Sequence, residues 1–535
     1  MAIKPDSPRE SNEEEEAFLP LTDAPEALRS TTGEKPWLLL IGLIFALVAF
    51  IDIGAYLADP PMTRIFEANL CYKYYLEQDP SVIGGDGTIS EELCKVDIVQ
   101  QRLASIFGWQ EMFNALPGLL LAVPFGTLAD RVGRKWIFAA GLVGIMLSYA
   151  WILLICKCYL KTLPLQLTWF SSAFMVIGGG AFVAMAIALT MISDIAPPEK
   201  RTTIFLYLTA CILVAEMVAP MMASRLMEYG DWLPLLLALA FQIVGLIVSL
   251  FIPETLHLRN LEEPKNIETQ SIELQPMSSH FSVRSQLRNF RATVQFLGGN
   301  WTLATVVFTF LANRLGRQSI SLLVRYASKR YSWEIKKAAY LLSFRAAANL
   351  VAISVVLPLI NFVLLKKLHF PAPRADIWIA CGSITLTTFS FFVMGVSAYP
   401  ALLVFGLLVY NMGSGYNAAM RSISIHVVGG QSSPDIGKLM STIAMAESFG
   451  SMIGGPLLNE LFQLGIGFGD AWLGLPFLGS AVIFLFMTFV TFSINVMGKT
   501  SSYVELNGED EDSFHDEGRS SLLVHQGATE RREST

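Results

Sequence analysis

Two long apolar runs flank the stretch Gly126-Thr127-Leu128-Ala129-Asp130-Arg131-Val132-Gly133-Arg134-Lys135. Asp130, Arg131, Arg134 and Lys135 cannot lie in hydrocarbon, so the sequence predicts a tight polar turn at a membrane surface joining two spanning helices. Hydrophobic residues make up 53% of the chain, charged residues 16%, and the mean hydropathy is +0.49. An ordinary soluble globule of 535 residues does not have that balance. At roughly 20 apolar residues per span, about twelve spans can be placed. They begin near Trp37, Ala104, Trp136, Leu165, Ile204, Trp232, Trp301, Ala338, Ile377, Ala401, Leu439 and Trp472.

The boundaries follow from composition. Residues 1–35 contain Glu13-Glu14-Glu15-Glu16 and lack the basic start and short apolar region of a cleaved signal peptide. A bundle over 36–253, a polar linker over 254–297, a second bundle over 298–497 and an acidic tail over 498–535 complete the division. Both tails are expected to be disordered. They dominate the net charge of −7, and nothing points to nucleic acid. The halves echo one another: Met217-Val218-Ala219-Pro220 in the fifth span matches Ile453-Gly454-Gly455-Pro456 in the eleventh. Parallel repeats of this kind place a solute path between the halves. Asn300-Trp301-Thr302 fits a glycosylation acceptor but falls on the side expected to remain unmodified.

The pattern G-x-L-A-D-R-x-G-R-K resembles the signature between the second and third helices of the major facilitator superfamily of secondary transporters. The resemblance implies an all-α membrane protein of 12 transmembrane helices in two six-helix bundles, working by alternating access. It also implies a gating set. Asp130 would pair with Arg131, Arg134 and a helix terminus of the opposite half, with Lys135 at the rim and Gly126 and Gly133 permitting close packing. The segment Arg64 to Tyr75, with Cys94 beyond it, looks similar to fungal facilitators allied to the proton-coupled folate carrier group. That likeness makes Glu216 the counterpart of a proton-coupling carboxylate. Drug exchangers carry an arginine in the fourth span where this chain has Phe174, Met175 and Val176. The arginines of sugar porters are replaced by Lys366-Lys367-Leu368-His369.

Carboxylates inside spanning helices cost a few kcal/mol each and must face water, find a partner or hold a proton. Asp52, Glu216, Glu447 and Glu111 are therefore the proton-coupling candidates, with Asp52 and Glu216 preferred. Arg314, Arg317 and Arg345 are available partners or cavity groups. Asn411, Ser414 and Asn417 form a polar stripe at helical spacing in the tenth span, and Asn313 and Asn349 extend it. Gly178-Gly179-Gly180 reads as a helix contact, since no Lys-Ser or Lys-Thr follows to make a phosphate loop.

Cys71 and Cys94 share one long loop on the side away from the signature and are placed equally as a disulfide or as two free thiols. Cys156 and Cys158 are a second possible pair. No spacing suggests a metal, no cofactor is expected, and no nucleophile constellation suggests an enzyme. The expected partners are the lipid bilayer, a small organic solute and protons, with a monomer in the plasma membrane rather than an internal membrane. The expected function is efflux of an amphiphilic compound or secondary metabolite. Proton-driven uptake of an organic anion is the alternative, and a non-transporting membrane sensor is the alternative from another class.

Overall fold

The computed structural model describes residues 36–85, 87–158, 164–195, 201–255, 301–428 and 436–494. Both tails, most of the central linker and Asn300 lie outside the described residues. Among those described, the regular elements are helices, in the all-α architecture of twelve crossings.

The first six crossings are Pro36–Gln78, Asp97–Val132, Arg134–Cys158, a fourth ending in Gly180–Ile195, Arg201–Leu226 and Trp232–Phe251. The seventh starts as Trp301–Arg317 and continues through Leu323–Tyr331; the eighth runs from Ile335 to Lys367 with two π-helical stretches. Ala372–Gly395 forms the ninth, Pro400–Met412 with Tyr416–Val427 the tenth, Ile436–Phe468 the eleventh and Leu475–Phe492 the twelfth. Among the described residues, 7 helices are long and apolar enough to span on their own. The second, fourth, seventh, tenth and eleventh crossings are the less apolar or interrupted ones. Their charges and breaks are tolerated where they meet protein or water instead of lipid.

Each half packs its own interior. The first half has one core around Leu57, Phe66 and Leu103 and another around Ile44, Leu47 and Ile192. The second half has a single core built on Phe310, Phe391, Tyr416, Phe462 and Phe484. Lipid tails are as apolar as these side chains, so close packing and interhelical polar contacts hold the bundles, with little hydrophobic drive between helices. The halves meet chiefly where the second crossing packs on the eleventh and the fifth on the eighth. Small residues set that approach: a Cβ added at Gly108 would sit 2.8 Å from the Asn459 Cβ, and one at Gly455 the same distance from the Glu111 Cβ.

Two features depart from the sequence expectation. The polar stretch after Gly126 is not a turn: helix continues through Val132, and Gly133, at φ 114°, alone makes the break. The fourth span is not one helix either. Gly178, Gly179 and Gly180 all hold positive φ (83°, 85° and 77°) and separate a short turn at Ser171–Phe174 from Gly180–Ile195. Gly178 lies against the backbone of the third crossing, where an added Cβ would come within 2.8 Å of the Ala140 carbonyl carbon. The triplet does mediate helix contact, through a left-handed break that is buried and so permitted at membrane depth. Gly178→Ala is expected to cost about 1–3 kcal/mol from backbone strain alone, read as a lower melting temperature of the detergent-purified protein.

Candidate functional site

The charged groups between the halves divide by origin. Asp52, Asp59, Glu111 and Glu216 come from the first half; Arg314, Arg317, Arg325 and Arg345 come from the second. At a rise of 1.5 Å per residue, Asp52, Glu216 and Arg314 each lie about 20–24 Å from the signature-face end of their helix, near the middle of the bilayer. Glu216 is buried and forms an ion pair with Arg345 that joins the fifth crossing to the eighth. Glu111 accepts a hydrogen bond from Gln318 Nε2 at 3.0 Å and lies 3.7 Å from Arg325 Nη2. Arg325, only 4% exposed, also donates to Asn459 Oδ1 at 2.8 Å and stacks on Phe107. Tyr56 lies within electrostatic reach of Asp52, Asp59 and Arg345. Asp59 precedes Pro60 and Pro61, whose missing N–H groups leave the Tyr56 and Leu57 carbonyls without their helical donors.

The remaining predicted residues divide further. Glu447 pairs with Arg421 of its own half at 2.9 Å, half exposed and apart from the cross-half pairs. Asn313 donates to Asn417 at 2.5 Å and accepts from Arg317 Nε at 2.9 Å, so these three form one network. Asn411 instead bonds back to the Leu407 carbonyl of its own helix. The stripe is split because Gly413–Gly415 tightens into a 3-10 turn between Asn411 and Asn417, with Ser414 inside it. Asn349 is half-buried in the eighth crossing. A depression lined by Trp333, Lys337, Tyr340, Leu341 and Phe344 opens along the outer part of that crossing.

On the face away from the signature, Cys71 and Cys94 are joined as a disulfide, while Cys156 and Cys158 are free. The bridge ties the end of the first crossing to Glu91–Lys95, and a buried ion network grows around it. Glu67 takes Lys95 Nζ at 2.7 Å and Gln100 Nε2 at 2.5 Å; Glu91 takes Lys95 Nζ at 3.1 Å and lies 3.2 Å from Arg64 Nε. That network reaches the other half. Glu91 Oε1 accepts the backbone N–H of Ile335 at 2.7 Å, and Lys329 donates to Asp97 at 2.6 Å and to the Lys95 carbonyl. Ser224 adds a bond to the Lys336 carbonyl at 2.7 Å. Just outside the spans, burial pushes the Asp231 carboxyl above its ordinary range, opposed by Arg64. A hydrogen bond from Lys336 holds the Glu334 carboxyl below its own.

Among the described contacts, Arg134 and Lys135 bond within their own half. Arg134, buried, pairs with Asp194, while the backbone N–H groups of Arg134 and Lys135 donate to Glu254 at 2.9 and 3.2 Å. Lys135 Nζ caps the Leu250 carbonyl at 2.7 Å and Arg131 is exposed. Arg134 thus has a partner in the fourth span, within reach because Gly133 lets the third crossing start beside Glu254. The Asp130 side chain lies outside the described residues, and Gly126 has open space around it.

The sequence expectation missed Asp59, Glu67, Lys95 and Arg325. The apolar pattern Ile320 to Ala327 continues through Arg325 and marks a crossing not yet ended. Asp59 lies directly before Pro60-Pro61, and the helix runs on through them to Gln78.

Comparisons with known proteins agree with this architecture. The family model described as Major Facilitator Superfamily matches residues 98–455. The MFS efflux pump atnC of Emericella nidulans is 32% identical over 475 residues, covering 88% of this chain and 90% of that protein. The efflux pump ustT of Aspergillus flavus is 29% identical over 454 residues, covering 83% and 86%. Among solved structures, the human organic anion transporter MFSD10 (TETRAN) shares the fold at a TM-score of 0.54 with 18% identity, covering 85% of this chain and 99% of that one.

Replacing Cys71 and Cys94 together by serine is expected to remove about 3 kcal/mol of stability, the chain-entropy value for a loop of this order. Thermal unfolding of the purified variant with and without reductant checks it; reductant should lower the wild-type melting point and leave the variant's unchanged.

Proposed function

We propose, from the premise that the chain belongs to the Major Facilitator Superfamily, that its halves rock about the Glu216–Arg345 contact to export a small organic secondary metabolite in exchange for protons. The chain is a multi-pass membrane transporter. Efflux is supported by relatives that are themselves named efflux pumps. The carrying observation is the ion pair between the fifth and eighth crossings, one partner from each half, near the bilayer middle. While Arg345 is beside it, Glu216 is compensated as a carboxylate. Once the halves part, an uncompensated charge in a poorly solvated site costs several kcal/mol, and holding a proton removes that cost. Proton loading is thus tied to the change of conformation.

The cross-half bonds of Glu91, Asp97, Lys329 and Ser224 all lie at the disulfide face. They support assigning this conformation to the state closed there and facing the signature side, which the family topology makes cytoplasmic. An exporter would load its solute in this state. A monomer in the plasma membrane completes the proposal.

The test uses protein reconstituted in liposomes with a trapped pH dye and a chemically broad solute panel. Solute-dependent proton movement is expected in the wild type. Glu216→Gln should abolish it while leaving exchange of solute across the membrane. Proton movement that survives in Glu216→Gln would overturn the coupling role, and solute flux without proton movement in the wild type would make the protein a uniporter.

A further inference from the structure

The outer half of the eighth crossing has two unlike faces. Ile335, Ala338, Ala339 and Ala346 are fully buried against the rest of the protein. On the other side Trp333, Lys337, Tyr340, Leu341 and Phe344 line a depression of about 500 Å³, within the roughly 300–1,000 Å³ of small-molecule sites. These five recur at helical spacing as one stripe, turned away from the alanines. In a membrane-spanning crossing, a face turned away from protein is turned toward lipid. Leu341 is buried while Tyr340 and Phe344 are exposed, so the stripe has a floor and a rim.

The order of chemistry along the stripe follows depth in one leaflet. Arg345, the residue after Phe344, pairs with Glu216 near the middle of the bilayer. From there Lys337 lies about 12 Å toward the disulfide face, close to the edge of a hydrocarbon half-layer of about 15 Å. Trp333 comes just before the helix begins at Ile335, whose N–H is held by Glu91. An indole and an ammonium thus stand at interface level, with Tyr340, Leu341 and Phe344 descending into the hydrocarbon. Lys337 is exposed and makes no ion pair or side-chain hydrogen bond among the described residues. Glu334 lies within its electrostatic reach but is paired with Lys336 at 3.0 Å. A lysine at this depth lifts its ammonium to the headgroups along its own stem, where the complementary charge is a phosphate. Sterols and diacylglycerols carry no such charge.

We propose that this depression binds one glycerophospholipid of the leaflet on the disulfide side. Lys337 takes its phosphate, and an acyl chain lies over Tyr340, Leu341 and Phe344, with Trp333 beside the headgroup. The site is on the lipid-facing surface of the crossing that carries Arg345 and depends on neither the solute nor the coupling ion.

The experiment uses full-length protein purified in a mild detergent and stripped of lipid by extended washing. It is titrated with phosphatidylcholine, with diacylglycerol of the same acyl chains, with a sterol, and with glycerophosphocholine, which has the head and no chains. Native mass spectrometry reads the molecules bound, and melting temperature reads the stabilisation they give. One phosphatidylcholine should be held more tightly than any further copies, and about fivefold or more tightly than diacylglycerol, the ratio for one lysine contact near a membrane surface. Lys337→Gln should bring phosphatidylcholine down to the diacylglycerol level, and Lys337→Arg should keep the preference. Phe344→Ala should weaken both lipids alike, and Lys366→Gln, an exposed lysine at the other end of the same crossing, should change nothing. Melting temperature establishes that each variant is folded; if Phe344→Ala is not, the two Lys337 variants decide. A graded lipid shell with no preferred first molecule, equal binding of diacylglycerol or sterol, displacement by glycerophosphocholine, or an unchanged preference in Lys337→Gln would each overturn the proposal.

Discussion

A carboxylate and a guanidinium placed at the middle of a bilayer can persist only by compensating each other or by meeting water. Of the charged groups that meet between the halves, Glu111 and Glu216 come from the first bundle and Arg325 and Arg345 from the second, so neither of these pairs is complete in one half alone. Glu216 with Arg345, and Glu111 with Arg325 and Gln318, thereby join two bundles whose apolar packing also meets at Ala104 and Met227. The less apolar crossings follow from the same constraint, since charged or broken helices are allowed only where they face the other half or the space between.

The most legible part of the sequence was the alternation of apolar runs with polar breaks, because lipid leaves a backbone few choices. The acids Asp52, Glu111 and Glu216 and the arginines of the seventh and eighth crossings stood out for the same reason: few charges survive inside such runs. What could not be read was which groups meet. Arg325 meets Asn459, which arrives from far along the chain. Arg134 bonds Asp194, a contact fixed by how the third and fourth crossings pack. The signature stretch illustrates the limit well. Charge showed that it must be at the surface, but a helix can carry charges past the surface, and only Gly133 breaks it.

Glycine has two different uses here. At Gly108 and Gly455 its lack of a side chain brings the second and eleventh crossings together inside regular helices. At Gly178 to Gly180 its tolerance of positive φ lets the fourth crossing change direction against the third. Phe182, two residues beyond that break, is the ring beneath Arg314 of the other half. The backbone irregularity thus sets where an aromatic surface is offered to the interface.

The Cys71–Cys94 bridge places Glu91 and Lys95 beside Glu67, and through them positions the contacts to Ile335 and Lys329. The covalent bridge, the Lys95–Glu67 pair and the bond from Gln100 to the Cys94 carbonyl fasten the same short segment to the first and second crossings. The side of the outer seal that faces the second half is thus presented by a strap tied at three points, so Glu91 can meet Ile335 without an element of its own to carry it.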